Sequence, residues 1–472
     1  MLFSSITFIY LFLPMVLAVY YLLLRKFRTA QNIFLFLASI GFYAWGEPRF
    51  VLIMVASIVI NWLLGLWIDS CRNKTALSRI ILGVDVAVNL GLLFVFKYLH
   101  FTADILKNLF GVELGIPQIT LPIGISFFTF QAISYVIDVY RGKGQVQKNI
   151  LYVGLYIAFF PQLIAGPIVR YETIADQIQN RHETLADVTE GFSRFIIGLA
   201  KKVLLSNNLA LLADAAFSAS ASGEIISVGF SWLGALAYTM QIFFDFSGYS
   251  DMAIGLGRMF GFHFLENFNY PYISSSISEF WRRWHMSLGS WFRDYVYFPL
   301  GGSRVAKGRL VFNLFVVWSL TGLWHGANFT FILWGLMYFL LLTFEKLTGF
   351  EKKSGLTLDV LKRVYTILFI MLGWVLFRAE SISDAMTYVS SMFGIHDSPL
   401  IDGYFTGYLA QNAVIIFLGG LFCTPVAKAT AKRIKPNLLT DILYVASYLL
   451  LFILSIASLT SSSYNPFIYF NF

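Results

Sequence analysis

The chain has 472 residues, of which 58% are hydrophobic and 13% are charged. Soluble domains carry about 25% charged residues, so this composition excludes an ordinary water-soluble enzyme and indicates a membrane protein. The net charge of +8 does not indicate a nucleic-acid partner, because the basic residues fall in small groups between hydrophobic runs, as loop charges do. Cys71 and Cys423 are too few for a disulfide framework or a cysteine metal site.

Apolar runs approaching the ~20 residues that a bilayer core requires recur along the chain, which predicts an all-α polytopic membrane protein. The predicted spans are residues 6–24, 32–45, 50–68, 80–96, 121–139, 150–164, 192–205, 228–246, 251–262, a hairpin pair around residue 325, 364–377, 405–422 and 442–459. Several are interrupted by proline, as at Pro161 and Pro167, which predicts re-entrant pieces. No repeat or linker divides the sequence, so we expect one integral-membrane domain over residues 1–472.

Basic loops predict how the hairpin around residue 325 enters the membrane. Lys and Arg flank it on both sides, at 304–309 and at 346–353, as is typical of cytoplasmic loops. The apolar run 310–323 is roughly 21 Å of helix at ~1.5 Å per residue, which is short of the ~30 Å hydrocarbon core. We therefore expect the turn at residues 324–326 to lie inside the membrane.

His325 stands within this hairpin, where an ionisable side chain is expensive to bury and is a functional candidate by default. Histidine can take and return a proton at physiological pH. On a continuous helix Thr321 and Asn328 would lie on the same face as His325 and could orient its ring. Gly322 and Gly326 would let a substrate approach closely. The alternative is a packing histidine whose ring bonds a neighbouring carbonyl.

A second histidine, His285, falls in a predicted amphipathic helix. Ser276 and Glu279 have the spacing of a capping box that would open this helix. An apolar stripe follows at helical spacing, formed by Phe280, Trp284, Leu288, Trp291 and Tyr295. The pattern is typical of a helix that lies at the membrane interface.

Three residues of this predicted helix are candidates for donor binding. Arg282, Arg283 and Trp284 precede His285, and the two guanidinium groups could hold the phosphates of a cofactor that arrives from the cytoplasm. The alternative is that the same residues only anchor the helix at the lipid headgroups.

A polar run, DFSGYSD, interrupts the apolar sequence at 245–251. Asp245, Ser247, Tyr249 and Asp251 would either line a polar passage at membrane depth or satisfy a helix break, and the sequence leaves both open. None of the other histidines has a partner at metal-ligand spacing such as H-E-x-x-H, so we expect no metal site. Walker and G-x-S-x-G motifs are also absent from the sequence.

The two histidine motifs, WRRWH at 281–285 and LWHGA at 323–327, resemble those of the membrane-bound O-acyltransferase family, in its bacterial alginate O-acetylase branch. That branch is related to the exporters of D-alanine for teichoic acids. The similar stretches also include LPIGISF at 121–127, FPQLIAGPI at 160–168, the polar run, and NPFIYF at 465–470. The resemblance covers nearly the whole chain.

The resemblance implies a ring of about ten to twelve transmembrane helices, with re-entrant and amphipathic helices, around a central funnel. It implies an acyl thioester donor from the cytoplasm, such as acetyl-CoA, and no permanently bound cofactor. His325 would be the catalytic general base, and His285 would orient the donor or stabilise the oxyanion. The protein would lie in the inner (plasma) membrane of a bacterium. It would work with an extracytoplasmic, esterase-like acetyltransferase partner on a polysaccharide such as alginate.

Other functions remain open from the sequence. One is D-alanyl transfer for teichoic acid modification, and another is a polysaccharide or lipid transporter in which His325 serves only in a proton relay. A structural membrane scaffold is a third. Release of free thiol from an acyl thioester would distinguish an enzyme from a transporter.

Overall fold

The computed structural model describes residues 1–353, 355–395, 397–461 and 464–468, and over this part of the chain it contains helices and no β-strand. The chain packs as two compact units. The first is Met1–Ile196 with Tyr249–Leu265, and the second is Ile197–Gly248 with Glu266–Phe472. The expectation of one domain over residues 1–472 stays a prediction.

The first unit contains short helices around an aromatic core. They are α1 (Leu13–Ala18), α2 (Arg28–Gly46), α3 (Val51–Ser70), α4 (Thr75–Leu93), α5 (Leu99–Phe110), α6 (Ile125–Tyr140), α7 (Ile150–Ala158), α8 (Phe160–Leu163), α9 (Tyr171–Asn180) and the first part of α10 (Leu185–Ala200), with π-helical segments at Phe8–Phe12, Val19–Leu23 and Phe94–Tyr98. Phe8, Phe42 and Phe160 pack in its core with ring centroids 5.6 to 6.2 Å apart. The predicted span 150–164 is divided at Phe159, because Pro161 cannot donate a helical hydrogen bond and occupies the first turn of α8.

The second unit carries both histidine motifs. Its helices are α11 (Asn207–Ala221), α12 (Val228–Met259), α13 (Ile277–Arg283), α14 (Met286–Phe292), α15 (Lys307–His325), α16 (Phe329–Thr348), α17 (Leu356–Arg378), α18 (Ile382–Met392), α19 (Gly403–Phe422), α20 (Val426–Ala431) and α21 (Leu438–Ser461), with π-helical segments at Lys201–Ser206 and Arg293–Tyr297 and 3₁₀ turns at Pro271–Ile273 and Phe350–Lys352. The last residues of α12 belong to the first unit.

Seven helical stretches among the described residues are long and apolar enough to cross a membrane. They are Val51–Ser70, Thr75–Phe110, Leu185–Ala221, Phe329–Thr348, Leu356–Arg378, Gly403–Phe422 and Leu438–Ser461, and the shorter apolar helices are Phe8–Leu23 and Ile125–Tyr140. The prediction of an all-α polytopic membrane protein is confirmed. The ring of ten to twelve helices around a funnel stays a prediction.

Helix α12 is continuous where the sequence predicted two spans, 228–246 and 251–262. The polar run at 245–251 therefore does not break the helix. Its glycine serves close packing instead, since a Cβ at Gly248 would lie 2.7 Å from the carbonyl oxygen of Gly198. The polar side chains of this run are accordingly presented from a regular helix.

Candidate active site

His325 is the last residue of α15, and the predicted hairpin is confirmed. Gly326 is extended, and the side chain of Asn328 caps α16 by accepting the N–H of Thr330 at 3.0 Å. The Asn328 amide also donates to the carbonyl of Glu380 at 2.8 Å. The prediction that Asn328 shares a helix face with His325 is wrong, because the helix on which that spacing depends ends at His325.

Thr321 does lie one turn before His325 on α15 and is buried. Its hydroxyl donates to the carbonyl of Val317 at 2.8 Å, within its own helix. The proton of that hydroxyl is therefore used by the backbone, so an orienting role for Thr321 stays a prediction.

Aromatic side chains surround the imidazole of His325, which is 5% exposed. The ring of Trp334 lies 5.0 Å away at an angle of 80°, and the ring of Phe377 lies 5.0 Å away at 79°. Phe331 is at 6.4 Å. Edge-to-face packing of this kind fixes the plane of the imidazole and keeps it away from bulk water.

The glycines of the hairpin serve helix packing rather than the substrate access that the sequence suggested. A Cβ at Gly322 would lie 2.5 Å from the carbonyl oxygen of Phe331, and one at Gly335 would lie 2.5 Å from that of Trp318. A Cβ at Gly326 would lie 2.4 Å from the Phe331 ring. Because these positions carry no side chain, α15 and α16 approach closely just before His325.

His285 lies at a break that the sequence did not predict. Helix α13 ends at Arg283, and α14 begins at Met286. Between them His285 adopts φ 44° and ψ 54°, a left-handed conformation that is uncommon for residues other than glycine. Such a conformation costs about 1–3 kcal/mol and persists where the surroundings impose it. The prediction of one continuous amphipathic helix is therefore wrong.

Asn267 imposes this break. Its backbone carbonyl accepts the N–H of Met286 at 2.9 Å, and its Oδ1 accepts the N–H and the hydroxyl of Ser287 at 3.2 and 2.9 Å. Oδ1 also lies 3.1 Å from Nδ1 of His285. Since this oxygen is an acceptor, Nδ1 carries the proton, and Nε2 is the nitrogen with the lone pair. No sequence pattern predicted a role for Asn267, which lies in a loop of irregular structure.

Trp324 connects the two histidines. Its ring centroid lies 4.7 Å from that of His325 and 5.9 Å from that of His285. On its other side the imidazole of His285 meets the edge of Phe246 at 4.6 Å and 88°. The fold thus brings the two sequence motifs to one place around a shared indole.

The candidate donor-binding residues separate into different environments. Arg283 is occupied within the protein, with its Nη2 2.8 Å from Glu279 and its Nη1 donating to the Asn269 carbonyl. Trp284 is 3% exposed and packs against Trp374 at 4.8 Å, so it belongs to the core. Arg282 is exposed, and its guanidinium interacts electrostatically with the Glu351 carboxylate.

The predicted capping box is formed in part. Ser276 accepts the N–H of Glu279 at 3.0 Å, but the Glu279 carboxylate accepts from Ser275. The remaining N–H groups at the start of α13, on Ile277 and Ser278, donate to the fully buried carboxylate of Glu345 at 2.7 and 2.8 Å. A carboxylate at a helix N-terminus is favourable, so Glu345 fixes α13 against α16. The sequence missed this residue.

Three of the four residues proposed for a polar passage have partners in their own units. In the second unit Asp245 pairs with Lys202 at 2.6 Å. Ser247 is buried, and its hydroxyl has no hydrogen-bond partner among the described residues. In the first unit Asp251 pairs with Arg194 at 2.9 Å, and Tyr249 stacks on Phe3 with centroids 4.7 Å apart. These contacts account structurally for Asp245, Tyr249 and Asp251 but not for Ser247, and the passage stays a prediction.

The sequence model of the membrane-bound O-acyltransferase family matches residues 146–383, more than half of the chain, and this range includes both histidines. The full chain is 42% identical to the full length of a Pseudomonas putida protein named probable alginate O-acetylase. It is 34% identical to the peptidoglycan O-acetyltransferase of Helicobacter pylori over 84% of this chain and 80% of that relative. It is 32% identical to the teichoic acid D-alanyltransferase of Bacillus subtilis over 55% of this chain and 69% of that relative. This chain belongs to the membrane-bound O-acyltransferase family and is a multi-pass membrane acyltransferase.

Proposed function

We propose that the chain transfers an acetyl group from a cytoplasmic thioester, with acetyl-CoA as the donor, for O-acetylation of an extracellular polysaccharide such as alginate. The similarity that carries this proposal is the alignment of the whole chain with a relative named for alginate O-acetylation at 42% identity. The peptidoglycan O-acetyltransferase relative supports the same acyl group. D-Alanyl transfer is the weaker candidate, since its named relative aligns with 55% of the chain.

In this proposal His325 is the general base. It takes the proton of an acceptor hydroxyl while the hydroxyl oxygen attacks the thioester carbonyl. A C–O bond forms, the C–S bond breaks, and the departing thiolate takes up the proton that His325 received. The aromatic rings of Trp334 and Phe377 at 5.0 Å support the role, because they hold the imidazole in a dry environment.

His285 has the companion role of orienting a substrate. Its Nδ1–H is directed to Asn267, so Nε2 accepts a hydrogen bond from an N–H or O–H group of the donor or acceptor. Burial lowers the pKa of His285, which keeps the ring neutral. A neutral ring with an acceptor Nε2 does not stabilise an oxyanion, so of the two expected roles the orienting one is favoured.

Trp334 is our candidate donor for the developing oxyanion. Its side chain is fully buried, and its indole N–H has no hydrogen-bond acceptor among the described residues. A buried donor left without an acceptor costs about 1–3 kcal/mol and calls for a functional explanation. An oxyanion beside His325 would supply the missing acceptor.

Arg282 is the remaining candidate for the phosphates of the donor, because Arg283 is bound to Glu279 and Trp284 is in the core. The acyl group would leave on the outer side of a bacterial inner membrane. There an esterase-like acetyltransferase partner would complete transfer to the polysaccharide.

The test is thiol release by the purified full-length protein supplied with a hydroxyl acceptor, an alginate oligosaccharide, and labelled acetyl-CoA or, in parallel, a D-alanyl thioester. We expect release from acetyl-CoA, and His325→Ala should lower it by about 10²–10⁴-fold, the usual contribution of a positioned base. His263→Ala, at an exposed histidine of the first unit, is the matched control. Release by His325→Ala above about a tenth of the wild-type rate would remove His325 from this role. Folded protein that releases no thiol from either donor would favour a transporter.

A further inference from the structure

Residues 464–468, here termed the C-terminal segment, are the last part of the chain that the structure describes. They include the start of the stretch NPFIYF, whose Tyr469 and Phe470 lie outside the described residues. The C-terminal segment contacts two elements of the second unit, α12 at Asp245 and α11 at Asp214. Asp245 neighbours a residue that packs against His285, and Asp214 binds an arginine whose neighbour packs against His325.

The first contact is with a buried ion pair. Lys202 and Asp245 lie 2.6 Å apart with side chains 2% and 1% exposed. The N–H of Ile468 donates to the other oxygen of Asp245 at 2.9 Å, and the Lys202 ammonium also donates to the Pro466 carbonyl. Two opposite charges and two backbone groups of the C-terminal segment therefore meet inside the protein, where Lys202 also donates to Asn207 at 2.9 Å.

This ion pair lies beside an aromatic residue that packs against His285. Phe246 follows Asp245 on α12, and its ring lies 4.6 Å from the His285 imidazole in an edge-to-face arrangement. A shift of Asp245 would therefore move the ring on which His285 rests.

The second contact reaches His325 through one further residue. The hydroxyl of Tyr464 donates to Asp214, and the same carboxylate accepts from Arg378. Phe377 precedes Arg378 at the end of α17, and its ring lies 5.0 Å from the His325 imidazole. Two separate contacts of one short segment thus lie close to Phe246 and Phe377, the aromatic residues that pack against the two histidines.

We propose that the C-terminal segment is a positioning element that holds Phe246 and Phe377, and through them sets the orientation of His285 and His325. Its kinetic consequence rests on the proposed acyl transfer, whereas the placement of the histidines can be measured without activity. Tyr464 and the backbone N–H of Ile468 are the positioning groups.

The test uses full-length Tyr464→Phe and Ile468→Pro, each of which removes one donor. The control is Tyr444→Phe, at an exposed tyrosine of α21 whose hydroxyl pairs with Tyr448. Diethyl pyrocarbonate labelling of each histidine is followed by peptide mass spectrometry, with exposed His263 as the internal standard. We expect labelling of His325 to rise about threefold to tenfold in Tyr464→Phe, and that of His285 to rise similarly in Ile468→Pro, the range given by one lost hydrogen bond.

In thiol release, both variants should show kcat lowered by a similar factor and an unchanged KM for acetyl-CoA. A general loosening of the fold would not lower kcat while leaving KM unchanged. Labelling equal to that of the control in both variants would overturn the positioning role. Tyr464→Phe removes one oxygen only, so it decides the question if Ile468→Pro does not fold. Altered labelling without any wild-type thiol release would sustain the positioning role and overturn the proposed function.

Discussion

Nδ1 of His285 lies 3.1 Å from Oδ1 of Asn267, the same oxygen that accepts the backbone N–H of Ser287. One carboxamide therefore fixes the tautomer of the imidazole and also the left-handed backbone on which it stands. The orientation of His285 depends on a residue outside both histidine motifs.

Asn267→Ala should lower kcat for thiol release by about tenfold or more, the usual effect of removing the partner that orients a functional histidine. Without Oδ1 the ring can adopt either tautomer, and the break before α14 loses three bonds. Asn269→Ala is the matched control, because Asn269 is exposed and its contacts with Arg283 come from its backbone. Equal loss in both variants would show that the effect is not specific to the histidine.

Trp334→Phe should lower kcat by about 10²–10³-fold with the KM for the donor little changed, as for loss of one oxyanion donor. The substitution keeps an aromatic ring beside His325 and removes only the N–H and part of the indole. Trp318→Phe is the control, since that ring packs against Trp334 at 6.1 Å. A Trp334→Phe enzyme with wild-type kcat would assign the oxyanion to another donor.

Lys202→Met should destabilise the protein by about 3–5 kcal/mol, because it leaves the Asp245 carboxylate buried without its counter-ion. The double variant Lys202→Met with Asp245→Asn should recover much of this loss, since no net charge remains buried. Thermal unfolding in detergent measures both. A double variant that is less stable than Lys202→Met would contradict this account.

Lowering the pH should decrease the stability of the first unit, because Glu183 becomes protonated. Burial would raise the pKa of Glu183, but its bonds with Arg28 and Tyr20 outweigh burial and lower the pKa below the ordinary value. A depressed carboxyl pKa stabilises the fold above the unfolded pKa of ~4.3, and this stabilisation is lost as the pH falls through the folded value. The difference in unfolding temperature between wild type and Glu183→Gln should therefore be constant from pH 7 to about 5 and shrink below ~4.3. A difference independent of pH throughout that range would rule out Glu183 as the titrating group.

The spacing rules that worked within one helix failed where the helix ended. Thr321 was correctly placed one turn before His325, since α15 is regular up to that residue, whereas Asn328 was misplaced beyond its end. Gly326 and Asn328 after His325 are compatible with a helix that continues, so the sequence could not predict that α15 ends at His325. The opposite error occurred in α12, where serine and glycine suggested a break in a helix that is continuous. Close packing at Gly248 explains the glycine.

The sequence by itself determined the membrane class, the hairpin around His325 and, through the resemblance of two motifs, the family. These follow from apolar runs and short motifs, and both depend only on residues that are close together in the sequence. Only the tertiary structure decided that His285 stands at a break held by Asn267, that Trp324 connects the two histidines, and that Glu345 and the C-terminal segment support their surroundings. Those relationships are hydrogen bonds and ring contacts between residues far apart in the chain, and folding of the second unit brings them together.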